Sequence, residues 1–251
     1  MIRLLQVLAL VASTMPPPAF AAEYRTEGAT IRLIAEPPDA AGRIRGAVLF
    51  GLDPGWKTYW LDPGESGLAP RLDFSGSRDV DDPRLSFPPP ERLTANGEAL
   101  NGYDAPMAIA FETTGKADGH LVLSFLAGVC RTLCVPVAAT LHRDLAEPLS
   151  MADAMAIDRA FLSRPADGGA VAARIEGDTL LVEAPSEPAV PDDLFVAGSP
   201  GWRFGEPTAR EGRVWHVPIR ERPRDGRAPT VPFQAVFVGG DRAFSLTISL
   251  P

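Results

Sequence analysis

The sequence predicts an all-β protein of two β-sandwich domains joined by a short helix. Three observations carry that reading. The 26 prolines and 23 glycines recur as punctuation between short apolar runs, the composition of a chain with many turns. Most of those runs alternate apolar and polar residues with period two, as half-buried strands do. Only one stretch, residues 150–162, shows convincing helical periodicity. With 251 residues, 45% of them apolar and 22% charged, the chain is globular in composition and long enough for one large or two modest domains.

Residues 1–21 read as a signal peptide. Arg3 supplies a positive start, Leu4 to Ala12 an apolar centre, and Ala19-Phe20-Ala21 a small-x-small cleavage pattern. The apolar run is too short to span a bilayer, and no other stretch approaches ~20 apolar residues. No cysteine borders the cleavage point to take a lipid anchor. The expectation is an exported, soluble protein with no membrane span of its own.

A first domain is expected over residues 22–147. Thr30 to Ala35 and Arg43 to Phe50 alternate around the turn Pro37-Pro38-Asp39. Trp56 and Trp60 then flank Thr58-Tyr59 in a short aromatic strand, where packing in a sandwich core is the expected role of the indoles. Asp62 and Glu65 fall among turn pairs and read as solvated. Residues 83–106 read as irregular and proline-rich, with Asn101-Gly102-Tyr103-Asp104 an exposed loop. Met107 to Phe111 and Leu121 to Leu126 read as separate strands, and from Val137 onward Val137, Ala139, Leu141 and Leu145 share an apolar face.

A helical linker is expected over 148–167. Ser150 caps it, Asp153 occupies the third helical position, and Met151, Met155, Ile157, Phe161 and Leu162 supply its apolar side. Arg164-Pro165 ends it. Six alternating runs separated by Gly, Pro and Asp turns then predict a second sandwich over 168–251. It carries no nucleophile elbow, phosphate loop or metal motif.

A formal charge of −8 without any Lys/Arg cluster excludes nucleic acid as a partner. The chemistry is concentrated in the only two cysteines, Cys130 and Cys134, which lie between two predicted strands at the tip of a hairpin. In an oxidising compartment such a pair is a redox-active dithiol, a structural disulfide or a metal site. A ring of about five residues contributes only ~2 kcal/mol on the chain-entropy estimate, which weakens the structural reading for a domain of this size. The dithiol reading rests on ordinary exchange chemistry, in which a thiolate attacks a disulfide and a second thiol resolves the mixed disulfide. Arg131, between the cysteines, would favour a thiolate. The metal reading takes the two thiolates with His120 or His142 as a copper or zinc site. The spacing alone does not choose among the three.

A longer pattern does bear on the choice. Trp56-Lys57-Thr58-Tyr59-Trp60-x-x-Pro63-Gly64-x-Ser66-Gly67-Leu68-x-Pro70, then Phe87-Pro88-x-Pro90-Glu91-Arg92, then Val129-Cys130-x-x-x-Cys134-Val135-Pro136 resembles the periplasmic N-terminal domain of DsbD/ScsB-type thiol:disulfide interchange proteins. The resemblance covers residues 24–147 in matching order. It implies an immunoglobulin-like sandwich and a protein-disulfide reductase type of oxidoreductase in the periplasm, with Cys130 and Cys134 as the redox pair and Cys134 as the attacking residue. It also implies a shielding loop bearing an aromatic, matched here to Tyr103, and no cofactor or resident metal. ScsB-type relatives carry a second sandwich, as expected over 168–251. Family members continue into a membrane domain and a thioredoxin-like domain that these 251 residues do not contain. The implied donor is therefore a separate membrane electron-transfer protein. The implied acceptors are oxidised periplasmic thiol proteins such as disulfide isomerases or cytochrome c maturation factors. The rival expectations are a non-catalytic binding or adaptor protein with a structural disulfide, and a copper or zinc carrier using the thiolates.

Overall fold

A computed structural model describes residues 21–250 apart from 65–66, 96, 186–190, 225–228, 230 and 241. The expected signal peptide, up to residue 20, and Glu65 lie outside the described residues. The first unit contains β1 (Glu23–Thr26), β2 (Ala29–Ala35), β3 (Arg43–Leu52), β4 (Lys57–Gly64), β5 (Arg71–Asp73), β6 (Arg78–Val80), β7 (Arg84–Ser86), β8 (Glu91–Ala95), β9 (Glu98–Tyr103), β10 (Met107–Cys130) and β11 (Cys134–Asp144). One helix follows, α1 (Met151–Leu162). The second unit contains β12 (Ala166–Glu176), β13 (Thr179–Glu183), β14 (Asp193–Ala197), β15 (Arg203–Phe204), β16 (Ala209–Glu211), β17 (Val214–Glu221), β18 (Phe233–Gly239) and β19 (Arg242–Ser249). The all-β fold class holds.

The first unit is a sandwich stitched together by β10. Its first half, Met107–Thr114, pairs antiparallel with β3, and Ala110–Glu112 also pairs with β7. Its second half, from His120 to Cys130, pairs with β11, and on its other side with β5 over Ser124–Leu126 and with β4 at the far end, Val129–Cys130. Between Gly115 and His120 the register slips. The chain turns from one layer to the other there, as strands do at bulges and glycines. A Cβ on Gly115 would lie 2.7 Å from the Asp79 carbonyl, which is why a glycine stands at this bend. The two runs expected as separate strands are thus one bent strand. Local periodicity resets at Lys116-Ala117-Asp118, where the ladder also changes partners from β3 to β11 while the strand itself continues. Ile31, Leu33, Val48, Ile109 and Phe111 from one layer meet Leu121, Leu123, Phe125, Val137 and Leu141 from the other, the inward half of each alternating run.

Residues 83–106 are more regular than the sequence suggested. β8 and β9 form a hairpin in which Ala95 pairs with Glu98, so the dipeptide Asn96-Gly97 falls between the strands, a strong two-residue hairpin signal. The neighbouring prolines obscured it. Asn101, Gly102 and Tyr103 are consequently buried strand residues rather than an exposed loop.

The helix forms where expected. Ser150 Oγ accepts from the Asp153 amide at 3.1 Å while its hydroxyl donates to the Asp153 carboxylate at 2.8 Å, satisfying an orphan amide of the first turn. Its buried side differs from the expectation. Ile157 and Ala160 face Ile34, Ala47 and Ala110, with Phe161 at the edge, whereas Met151, Met155 and Leu162 are 78%, 52% and 85% exposed. The ion pairs Asp153–Arg32 (2.8 Å) and Asp158–Arg45 (2.7 Å) fix the rotation, and the small side chains allow close approach to the sheet.

In the second unit the strand order is β14-β18-β19-β12-β13-β17-β15, with β16 on β17. β12 runs parallel to β19 over Ala166–Ala172 and then antiparallel to β13, again bridging two sheets around a core that includes Leu180, Val217, Phe233, Phe237 and Ile248. The two units share buried surface. Trp60 meets Phe195 edge to face with centroids 5.9 Å apart. Arg92 donates to both oxygens of Asp193 and to the Leu194 carbonyl, and its guanidinium lies 4.0 Å from the centre of the Phe195 ring. Asp62 is not a solvated turn residue. It is 3% exposed and accepts from the Gly64 and Phe204 amides at 3.0 Å each, which bonds strand β4 to the second unit. Burial raises its pKa, against the lowering effect of those two amides and of Arg203 and Arg92.

Candidate functional site

The β10–β11 hairpin is in unbroken register from His120↔Asp144 to Cys130↔Cys134. The last rung therefore puts the two cysteines side by side, with Cα atoms 4.1 Å apart, and they form a disulfide. Arg131, Thr132 and Leu133 make the tip, which is closed by the Arg131 amide donating to the Leu133 carbonyl at 3.3 Å. The two sulfurs are not equivalent. Cys130 is 1% exposed on the strand side, whereas Cys134 lies on the exposed rim. Leu133 and Val135 on either side of it are 76% and 46% exposed.

β4 lies beside the end of β10, with Thr58 opposite Val129 and Lys57 opposite Cys130. Thr58 Oγ donates to the Gly128 carbonyl at 2.9 Å and fixes this register. Strand alternation then divides the aromatic segment by face. Trp60 goes inward to the main core, while Tyr59 joins Cys130 and Leu100 in a small outer cluster that Leu93 and Ala95 complete. The Tyr59 hydroxyl lies 2.9 Å from Cys130 Sγ and 2.8 Å from Cys134 Sγ. Disulfide sulfurs carry no proton, so the phenol donates its single O–H to them. Burial, and secondarily the Glu98 charge, raise the Tyr59 pKa, so the group remains a donor at neutral pH.

Glycines make room for that ring. A Cβ on Gly128 would lie 2.7 Å from the Tyr59 ring, and one on Gly67, whose φ is +139°, would lie 2.4 Å from it. Gly102, the cross-strand partner of Tyr59, lies so close to Thr58 that a Cβ would fall 2.0 Å from its carbonyl oxygen. By sequence Tyr59 is one more aromatic of its strand. Its closeness to Trp56 and Trp60 concealed it, since only strand phase separates the residue on the sulfurs from those in the core.

Of the residues singled out beforehand, Cys130 and Cys134 come together and Tyr103 does not join them. Tyr103 pairs with Thr58 and therefore faces the core. Its hydroxyl donates to the Pro88 carbonyl at 2.8 Å, and burial raises its pKa well above the usual value. The aromatic against the sulfurs is Tyr59. His120 and His142 are also remote from the thiols. His120 is ten ladder rungs from Cys130, about 33 Å at ~3.3 Å per rung. The expected alternative of a copper or zinc site joining thiolates and histidine is therefore corrected, because the unbroken ladder holds the two sets apart.

Residues 31–146 match the family model described as the N-terminal domain of the thiol:disulfide interchange protein DsbD. The first sandwich resembles a DsbD N-terminal domain. The fold of nearly the whole chain is that of a solved structure, the N-terminal periplasmic domain of ScsB from Proteus mirabilis. That match has a TM-score of 0.70 and 21% identity, and covers 91% of this chain and 97% of that one. No curated protein sequence matches the chain significantly. Among the described residues no helix is long and apolar enough to cross a membrane.

Proposed function

We propose that this protein is a periplasmic thiol:disulfide interchange protein that relays reducing equivalents through Cys130 and Cys134, from a membrane electron-transfer partner to oxidised periplasmic thiol proteins. The observation that carries the reading is the asymmetric disulfide: one sulfur on an exposed rim, one buried, and a buried phenol donating to the pair. The DsbD family match over 31–146 and the ScsB-like fold support it.

On this reading the steps follow in order. A donor thiolate reaches Cys134 Sγ from the rim and bonds to it. The Cys130–Cys134 bond breaks, and Cys130 leaves as a thiolate beside the Tyr59 hydroxyl, which stabilises the departing charge. The donor's second thiol then attacks its own sulfur in the mixed disulfide and releases Cys134. Two electrons and two protons have moved to the pair. In the forward direction the Cys134 thiolate attacks an acceptor disulfide, and Cys130 attacks Cys134 Sγ to release the reduced acceptor. The exposed Leu133 and Val135 offer partners an apolar rim around the reacting sulfur.

The test is a trap. Cys130→Ala leaves Cys134 unable to be resolved from within, so it should accumulate as mixed disulfides with periplasmic proteins, whereas Cys134→Ala should accumulate none. Equal trapping by both variants, or by neither, would overturn the assigned roles.

A further inference from the structure

Two of the three histidines in the chain are cross-strand neighbours at the end of the hairpin remote from the disulfide. His120 stands opposite Asp144 and His142 opposite Val122, so the three polar side chains share the outer face of the β10–β11 ladder. His120 Nε2 and His142 Nδ1 are 3.4 Å apart, with ring centroids at 5.6 Å and planes tilted by 42°. A tetrahedral ion bound at ~2.0–2.1 Å by two imidazoles separates its nitrogens by roughly 3.3 Å. The two rings thus already stand at the bite distance of such an ion.

We infer that His120 and His142 form a surface site for a late first-row divalent transition metal, independent of the cysteine pair. Imidazole is a ligand suited to both Cu²⁺ and Zn²⁺, and the general affinity order places copper above zinc. Ligation requires neutral imidazole, so metal binding should weaken as the pH falls. The imidazole that now donates its N–H to the other shifts that proton to its second ring nitrogen as the metal enters. Asp144 places a carboxylate on the same face, which offsets the added positive charge, while Arg78, on β6 across from His120, opposes it. Among the described residues no group of three or more His, Cys, Asp or Glu side chains converges. The site differs from one built on thiolates, because the disulfide is eight rungs from His142 and ten from His120, about 26 and 33 Å along the ladder.

The test is calorimetric titration of the untagged, disulfide-intact protein with CuCl₂ and, separately, ZnCl₂. One equivalent of each should bind, copper more tightly. His120→Ala and His142→Ala should each weaken binding at least ~10-fold, with melting temperatures measured alongside to confirm folding. The Cys130→Ser/Cys134→Ser double variant should bind unchanged, which separates this site from the redox reading. Absence of stoichiometric binding, retention of it in the double histidine variant, or its loss in the cysteine variant would each overturn the inference.

Discussion

Replacing Tyr59 by Phe removes a single oxygen that lies 2.9 Å from Cys130 Sγ and 2.8 Å from Cys134 Sγ. The ring, wedged between Gly67 and Gly128, keeps its place, so the fold should lose little. Disulfide sulfur is a weak acceptor and the oxidised protein should unfold within about 1 kcal/mol of the parent. The kinetic effect should be larger. A hydrogen bond to a charged group is worth ~1.5–3 kcal/mol, and the departing Cys130 sulfur carries part of a full negative charge in the transition state. A loss of ~1 kcal/mol there slows attack about fivefold. The assay is reduction of the native protein by dithiothreitol in the pseudo-first-order regime, followed by quenching with an alkylating agent. The predicted result is a three- to tenfold slower reduction at unchanged secondary structure. An unchanged rate would show that the phenol does not assist the leaving sulfur. A faster one would show that it acts only as a cover.

The remaining expectations address the frame of the site. Gly128→Ala places a methyl 2.7 Å from the Tyr59 ring and should cost ~1–3 kcal/mol as overpacking, read in denaturant unfolding together with a changed reduction rate. Tyr59 and Tyr103 both have raised folded pKa values, so the folded state holds these protons above pH 10 when the unfolded chain would release them. Stability from this source is present below pH 10 and falls as pH rises beyond it. Tyr59→Phe should reduce that alkaline slope in a melting series, and adding Tyr103→Phe should reduce it further. Arg92→Ala strips the partner from Asp193 and the cation from Phe195. It should lower stability by ~2–4 kcal/mol, and calorimetry of the variant should show two unfolding transitions, one for each uncoupled sandwich.

Much of this architecture was legible because alternation and turn chemistry agree over most of the chain. The hairpin tip at Cys130 and Cys134, the inward face Val137, Leu141 and Leu145, and the Ser150 cap all rest on local rules that tertiary structure did not override. What escaped the sequence is non-local. Met151, Met155 and Leu162 outrank Ala160 on any hydrophobicity scale, yet the alanine is buried, because Arg32 and Arg45 on the sheet set the helix rotation. Asp62 looked like a turn residue because its partner amide, Phe204, is 142 residues away. Tyr59 and Tyr103 are equally aromatic, and only the ladder pairings Thr58↔Tyr103 and Tyr59↔Gly102 place one on the sulfurs and the other in the core.

The central claim is that the Cys130–Cys134 disulfide exchanges electrons while the protein stays folded. Equilibrating the native protein in dithiothreitol or glutathione buffers of graded potential, then alkylating free thiols and counting them by mass, tests this directly. The account predicts one reversible two-electron transition with the fold intact across it, the free thiol on Cys134 reacting before that on Cys130. A disulfide that stays oxidised in every buffer until the protein is denatured would contradict the account and leave the bond a structural one.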